Sequence, residues 1–227
     1  NIEGTYNVLE ASKNLNIQNI VVLSTSEVYG SLKYRPMDEN HPLQGQSPYS
    51  ASKIGSDQIA ISYNRSFNMP IKIARPFNTY GPRQSLRAII PTIITQLLSE
   101  KKYIKLGNIN STRDFTYVED TCNGLISIIN SNDLIGEITN IGSNNEISIK
   151  EVFEITKKIL NSEGSIKIED TRKRPIRSEV SNLNCDNTKI LSKTDWKPKY
   201  NFESGLEKTV SWIRQNINNF ETDKYVM

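Results

Sequence analysis

The chain has 227 residues, enough for one substantial core or one and a half domains. Its 28 basic and 25 acidic residues leave a net charge of +3 with no Lys/Arg block, which does not suggest a nucleic-acid binder. The 36% hydrophobic and 23% charged content is that of a globular rather than a disordered chain, and no apolar run is long enough to cross a bilayer.

No signal-peptide pattern is visible in these residues. The two cysteines, Cys122 and Cys185, lack metal-type or paired spacing. His41 is the single histidine, so a His-based metal site or a Ser-His-Asp triad has almost no material. The expectation is a cytoplasmic enzyme in a reducing compartment, with no metal, no nucleic acid and no membrane among its partners.

In chain order, Ile2, Tyr6 and Leu9 with Val8, Ala11 and Leu15 recur at helical spacing. Asn19–Leu23 reads as a buried strand rich in β-branched residues. A loop rich in Pro, Gly, Gln and Ser runs to Pro48, and a helix follows over about Tyr49–Tyr63. Ile71–Ala74 reads as a second strand, and Ile89, Ile90, Ile93, Ile94, Leu97 and Leu98 form the stripe of an amphipathic helix. Phe115–Val118 is a short strand, Asp120–Ile129 a helix and Glu137–Ile141 a strand closed by Gly142. Ser148 and Glu151 have the form of a capping box and start a helix that carries Val152, Phe153, Thr156, Ile159 and Leu160. Ile166–Glu169 is a short strand, and the last helix carries Phe202, Leu206, Val210, Ile213 and Ile217. This alternation argues an α/β fold with a largely parallel sheet.

Two constellations carry chemistry. Tyr49 and Lys53 stand at i and i+4, on one face of their helix. A nearby ammonium favours the phenolate and draws a phenol of pKa about 10 toward use as an acid or base. The run Leu23-Ser-Thr-Ser-Glu-Val-Tyr-Gly30 sits at the C-terminal end of the first strand, the edge at which open parallel sheets bind ligands. Hydroxyls and a carboxylate in a row there are costly unless used or hydrogen-bonded. Among the bland features, Trp196 and Trp212 read as packing residues, His41 as a surface-loop residue, and Phe115 and Tyr117 as strand core. Arg75, Arg83 and Arg113 have a second reading as surface or structural ion-pair residues, and Arg172-Lys-Arg-Pro-Ile-Arg177 as a solvated basic loop.

Together with Asn1-Ile-Glu-Gly-Thr-Tyr-Asn-Val-Leu-Glu-Ala11, Arg75-Pro-Phe-Asn-Thr-Tyr-Gly-Pro-Arg83 and Thr112-Arg-Asp-Phe-Thr-Tyr-Val-Glu-Asp120, these motifs resemble extended short-chain dehydrogenases/reductases of the nucleotide-sugar epimerase/dehydratase group, from residue 1 to about 215. The resemblance implies NAD as cofactor, a nucleotide-sugar as substrate, and a homodimer in the full-length protein through helices at 2–15 and 49–66. It implies cofactor contacts at Asn1, Ser24, Tyr49, Lys53 and Pro76, catalytic roles for Thr25, Ser26, Glu27, Tyr49 and Lys53, and substrate contacts at Asn78, Arg83, Arg113 and Arg174. The resemblance further implies that Tyr49 takes the proton of the sugar 4-hydroxyl, that Lys53 supports it and that Thr25 hydrogen-bonds near that hydroxyl.

The triplet Thr25-Ser26-Glu27 resembles the 4,6-dehydratases, whose carboxylate removes the C5 proton once C4 is a ketone; the resemblance implies Glu27 as that base and Ser26 as the neighbour that assists at the 6-hydroxyl. Dehydratases acting on dTDP-glucose usually carry an aspartate where Ser26 stands. The stretch from Glu39 to Lys53 looks most like dehydratases of legionaminic-acid-type pathways, which implies a UDP- or GDP-linked N-acetylglucosamine. UDP-glucuronate decarboxylases share the Ser-Thr-Ser-Glu-Val-Tyr-Gly run and rely on a C-terminal arginine, for which Arg172, Arg174 and Arg177 are candidates. A 4-epimerase and a non-catalytic sugar-nucleotide binder are the other readings.

No G-x-x-G-x-x-G turn, the pyrophosphate anchor of dinucleotide-binding folds, occurs in the chain. The expected architecture is therefore a partial Rossmann fold, doubly wound and mostly parallel, lacking its first strands. Residues 1–80 and 114–141 form this cofactor part, and 81–113 and 142–227 a smaller α/β substrate lobe. Such a half-sheet would carry an exposed apolar edge.

Overall fold

The computed structural model describes residues 1–173, 175 and 178–220. Helix α1 spans Ile2–Asn14 and leads into β1, Ile20–Leu23, four residues of which three are β-branched. Helix α2, Pro48–Phe67, begins at a Ser47 cap whose side chain accepts from Ser50 N, and Pro48 suits the first turn because it needs no amide donor there. It ends at Asn68, whose φ of 52° turns the chain left-handed toward β2, Ile71–Pro76.

Beyond β2 come β3 (Asn78–Tyr80), α3 (Ile89–Leu98), β4 (Tyr103–Leu106), β5 (Thr112–Tyr117), α4 (Val118–Asn130) and β6 (Ile138–Ile141). The chain finishes with β7 (Glu146–Ser148), α5 (Ile149–Leu160), β8 (Ser165–Ile168), α6 (Thr188–Lys193) and α7 (Phe202–Gln215). The capping box expected at Ser148 and Glu151 is present and starts α5.

Strands β1, β2 and β6 form a parallel sheet in that order, with Ile20 opposite Ile71 and Ile73 opposite Ile138. The period-two alternation of β2 divides its neighbours between two faces. Ile71 and Ile73 pack with Leu9 of α1 and Ala60 and Tyr63 of α2. Ala74 packs with Ile128 of α4, Ile190 of α6 and Trp196. Helices on both faces of a parallel sheet make this the α/β, partly Rossmann-like arrangement expected. Strand β1 is at the sheet's edge, and Leu23, 49% exposed, lines a shallow surface depression with the exposed Val8.

A second body is built on β3, β5 and β7, with β3 parallel and β7 antiparallel to β5. Its core holds Tyr80, Phe115, Tyr117 and the apolar faces of α3, α5 and α7. Strands β4 and β8 pair in parallel alongside; Ile104 and Leu106 are buried while Tyr103 and Lys105 are exposed. Strands β3, β4 and β7 and helix α6 were not expected, and Val118 opens α4 rather than closing the strand before it. Among the described residues no helix is long and apolar enough to cross a membrane, and no group of three or more His, Cys, Asp or Glu residues is placed to hold a metal ion.

Candidate active site

The C-terminal end of β1 gives way to a short, tight turn. Ser24 N still donates to Ala74 O at 2.7 Å, as a continuation of the sheet. Thr25 is extended and caps the 3-10 turn Ser26–Tyr29 through a 3.3 Å bond from Glu27 N to Thr25 Oγ1. Ser26, Val28 and Tyr29 are buried, and Thr25 and Glu27 are partly exposed. Gly30 closes the turn at φ 63°, and a Cβ there would lie 2.8 Å from both Cβ and O of Gln44, so only glycine fits.

Helix α2 presents Tyr49, Lys53 and Asp57 on one face at intervals of four residues. Lys53 Nζ donates to Leu23 O at 2.7 Å, which brings the ammonium to the end of β1 directly before Ser24 and Thr25. Tyr49, one turn nearer the helix start, is 50% exposed. Asn1 Nδ2 donates to Ser52 Oγ at 2.8 Å, and Ser52 Oγ to Tyr49 O at 2.7 Å, so the start of α1 is tied to the first turns of α2. Pro76 ends β2 opposite Ile141. The structure thus gathers Thr25, Ser26, Glu27, Lys53 and Ser24 around one strand end, with Tyr49 on the facing helix.

Beneath them runs a buried polar network that the sequence reading missed. Asp57 Oδ2 accepts from Ser24 Oγ at 2.8 Å and from Arg75 Nη2 and Nε at 2.9 and 3.2 Å. Arg75 Nη1 donates to Tyr29 OH at 3.1 Å, and Tyr29 OH donates to Asn140 Oδ1 at 2.7 Å. Asn140 N donates to Glu39 Oε1 at 2.8 Å, and burial pushes the Glu39 carboxyl up. Burial also raises the Tyr29 phenol above its ordinary range, keeping it a neutral donor. Two signals for this network were present in the chain: a carboxylate one turn beyond Lys53 on the same helix face, and an arginine inside the apolar run of β2.

Arg75 is therefore an ion-pair residue, as its second reading had it, but fully buried. His41 departs from expectation. It is 2% exposed, its Nε2 accepts from Lys33 N at 3.0 Å, and its ring stands edge-on to Tyr29. The loop that carries it folds back under the turn, so a histidine in a polar loop is enclosed. Trp196, Phe115 and Tyr117 are core residues, and Trp212 packs partly buried against the second core.

A cleft of about 290 Å³ opens past β2 and includes Asn78, Gln84, Arg87, Lys105, Arg113, Arg172 and Glu179 in its lining. Asn78 Oδ1 and Gln84 Oε1 are buried acceptors with no hydrogen-bond partner among the described residues. Arg113 donates through Nη1 to Thr112 O at 2.8 Å and Ser181 O at 3.3 Å, and its Nη2 lies 3.8 Å from Glu179. Arg172 Nε donates to Glu169 Oε2 at 2.7 Å. Arg83 is exposed, at φ 67°, and does not line this cleft. Arg174 and Arg177 lie outside the described residues. Next to Arg113, Asp114 is fully buried; burial pushes its carboxyl up to about 6 against the pull of donors from Ser143 and Cys185.

The basic lining and the partner-free acceptors of the cleft suit an anionic, hydrogen-bonding ligand, and the tyrosine and lysine of α2 with the carboxylate at the end of β1 suit removal of a hydroxyl proton, although none of Thr25, Glu27, Tyr49 and Lys53 lines the cleft. Comparison with known proteins agrees. A family model described as GDP-mannose 4,6 dehydratase matches residues 1–209. The dTDP-glucose 4,6-dehydratase of an Actinoplanes species is 34% identical over 217 residues, covering 95% of this chain and 66% of the relative. The crystal structure of Bacillus anthracis dTDP-glucose 4,6-dehydratase in complex with NAD is similar at a TM-score of 0.86 and 34% identity, over 95% of this chain and 68% of that one. That of Bacillus cereus UDP-glucuronic acid 4-epimerase in complex with UDP-glucuronic acid and NAD is similar at a TM-score of 0.87 and 28% identity, over 95% and 67%. The chain spans about two thirds of the length of each of these proteins.

Proposed function

The chain belongs to the GDP-mannose 4,6 dehydratase family of nucleotide-sugar dehydratases and epimerases, within the extended short-chain dehydrogenases/reductases, and on that premise we propose that the protein is an NAD-dependent nucleotide-sugar 4,6-dehydratase. The observation that carries the reading is the 2.7 Å bond from Lys53 Nζ to Leu23 O. It fastens the Tyr49–Lys53 helix to the strand that delivers Thr25, Ser26 and Glu27.

The residues fit the nicotinamide end of NAD: an ammonium held at the strand end, a half-exposed phenol on the same helix face, and the half-exposed apolar Leu23. NAD bound there supplies an acceptor for the C4 hydride and its return to C6. Tyr49 takes the proton of the 4-hydroxyl, with Lys53 on the same helix face and Thr25 orienting that hydroxyl. A C4 ketone acidifies the C5 proton, which Glu27 removes while Ser26 assists the 6-hydroxyl as it leaves as water. Asn1, Ser24 and Pro76 border the cofactor; the hydroxyl of Ser24 is engaged by Asp57 and leaves its main chain for that role. Asn78 and Arg113 line the cleft for the nucleotide-sugar, and Arg83 and Arg174 are assigned to the substrate on the resemblance alone.

The proposed substrate is a UDP- or GDP-linked N-acetylglucosamine, on the resemblance of Glu39–Lys53 to dehydratases of legionaminic-acid-type pathways and with Ser26 in the place of the aspartate usual in enzymes for dTDP-glucose. A homodimer through α1 and α2 accompanies the reading, where Ile2, Tyr6 and Phe67 are about half exposed. The test is incubation of the full-length protein with NAD and a panel of nucleotide-sugars, read by mass spectrometry. Loss of one water from one of them is expected. Loss of carbon dioxide from UDP-glucuronate would identify a decarboxylase, and an unchanged mass with altered sugar chromatography an epimerase; either overturns the dehydratase reading.

A further inference from the structure

The turn that carries Glu27 is not held by its own backbone. Its internal bonds are long: 3.3 Å from Glu27 N to Thr25 Oγ1, 3.4 Å from Val28 N to Thr25 O, and 3.3 Å from Gly30 N to Glu27 O. These sit beyond the usual N–H···O range of about 2.7–3.2 Å. From outside, the turn is held at its middle by Gln44 N, which donates to Val28 O at 2.8 Å, and at its two ends by a pair of side-chain anchors. On one side Ser24 Oγ donates to Asp57 Oδ2. On the other, Tyr29 is fully buried, and its hydroxyl both accepts from Arg75 Nη1 and donates to Asn140 Oδ1. Arg75 in turn donates to the same Asp57 Oδ2. Asp57 lies two turns along α2 from Tyr49, on the same face. One carboxylate oxygen therefore links both ends of the Glu27 turn to the helix of Tyr49 and Lys53.

We propose that Tyr29 is a positioning residue for Glu27: its hydroxyl, through Arg75 and Asp57, sets the turn in register with the Tyr49–Lys53 helix. The inference rests on the dehydratase reading. Thr25 lies on the Ser24 side of the turn and Lys53 is fixed independently to Leu23 O. Loss of the Tyr29 hydroxyl therefore spares proton removal at the 4-hydroxyl and slows removal of the C5 proton.

The experiment uses Tyr29→Phe in the full-length protein, which keeps the ring and removes the hydroxyl. Absorbance of NADH under single-turnover conditions reports oxidation at C4, and mass spectrometry reports water loss. The expected result is C4 oxidation at the wild-type rate and water loss slowed about ten- to a hundredfold, the scale of one hydrogen bond to a charged partner. Combined with Glu27→Gln, Tyr29→Phe adds nothing further to the slowing of water loss, because both act at one step. Without cofactor, hydrogen exchange rises for the amides of residues 26–30 and stays unchanged in β2. Equal slowing of both steps, additive losses in the double variant, or unchanged exchange at 26–30 would each overturn the proposal. Arg75→Lys keeps a charge for Asp57 but loses the second donor that reaches the same hydroxyl, and gives the same tests if Tyr29→Phe does not fold. A wild-type protein that loses no water defeats the dehydratase reading itself; a dehydrating wild type whose variants keep full speed defeats the inference alone.

Discussion

Converting Asp57 to Asn removes one charge from a site where nothing else replaces it. Asp57 and Arg75 are 0% and 1% exposed, and their closest approach is 2.9 Å. The variant keeps side-chain volume but strands a buried guanidinium whose remaining charge-neutral contacts are Tyr29 OH and the ring beneath it. Breaking a buried pair from one side costs about 3–5 kcal/mol, because an uncompensated charge is left in low dielectric. With a urea dependence of about 3 kcal/mol per molar, the midpoint falls by roughly 1 M or more. Urea titration followed by circular dichroism measures this directly. The double variant Asp57→Leu/Arg75→Met replaces both charges with apolar groups and recovers most of the loss, since well-packed apolar pairs often match buried ion pairs. A midpoint shift below about 0.2 M in Asp57→Asn, or a double variant as unstable as the single one, would refute the claim that this pair is held by mutual compensation.

Two further outcomes follow from other parts of the site. Asp114 titrates near 6 in the fold against 3.8 for an ordinary aspartate, so the folded chain binds its proton more tightly. Its stabilising contribution is complete below about pH 4 and fades as the pH rises through 6, by up to about 3 kcal/mol at roughly 1.4 kcal/mol per unit. Urea titrations from pH 4 to 7 should show this slope in the wild type and its absence in Asp114→Asn; identical slopes would contradict the assignment. Arg113→Ala should weaken binding of UDP or GDP about ten- to a hundredfold by calorimetry, the scale of lost charge-assisted bonds. Unchanged affinity would remove Arg113 from the substrate contacts.

The local and periodic features were legible. The Ser148–Glu151 capping box, the β-branched run of β1 and the stripe of α3 depend on residues near one another in the chain, and each appears where its spacing predicts. The pairing of Tyr49 and Lys53 with the Thr25-Ser26-Glu27 run needed only helix period and the rule for strand ends. Strands β3 and β7, three residues each, are defined by partners in β5 more than thirty residues away and have no pattern of their own. His41 is buried because Tyr29 and the residues around Lys33 close over it, a fact of loop packing. The Asp57–Arg75–Tyr29 network joins a helix, a strand and a turn. Its members were visible singly, as a carboxylate on the inward helix face and an arginine in an apolar strand, but their meeting is a product of the fold.

The most direct test of the account is the reaction run in heavy water on the full-length protein with NAD and UDP- or GDP-N-acetylglucosamine. Removal of the C5 proton by Glu27 and its replacement from solvent predict a product lighter than substrate by one water and carrying one deuterium at C5, with Glu27→Gln yielding none of it. A dehydrated product without deuterium, or a Glu27→Gln variant that makes it at the wild-type rate, would contradict the role assigned to the turn at the end of β1.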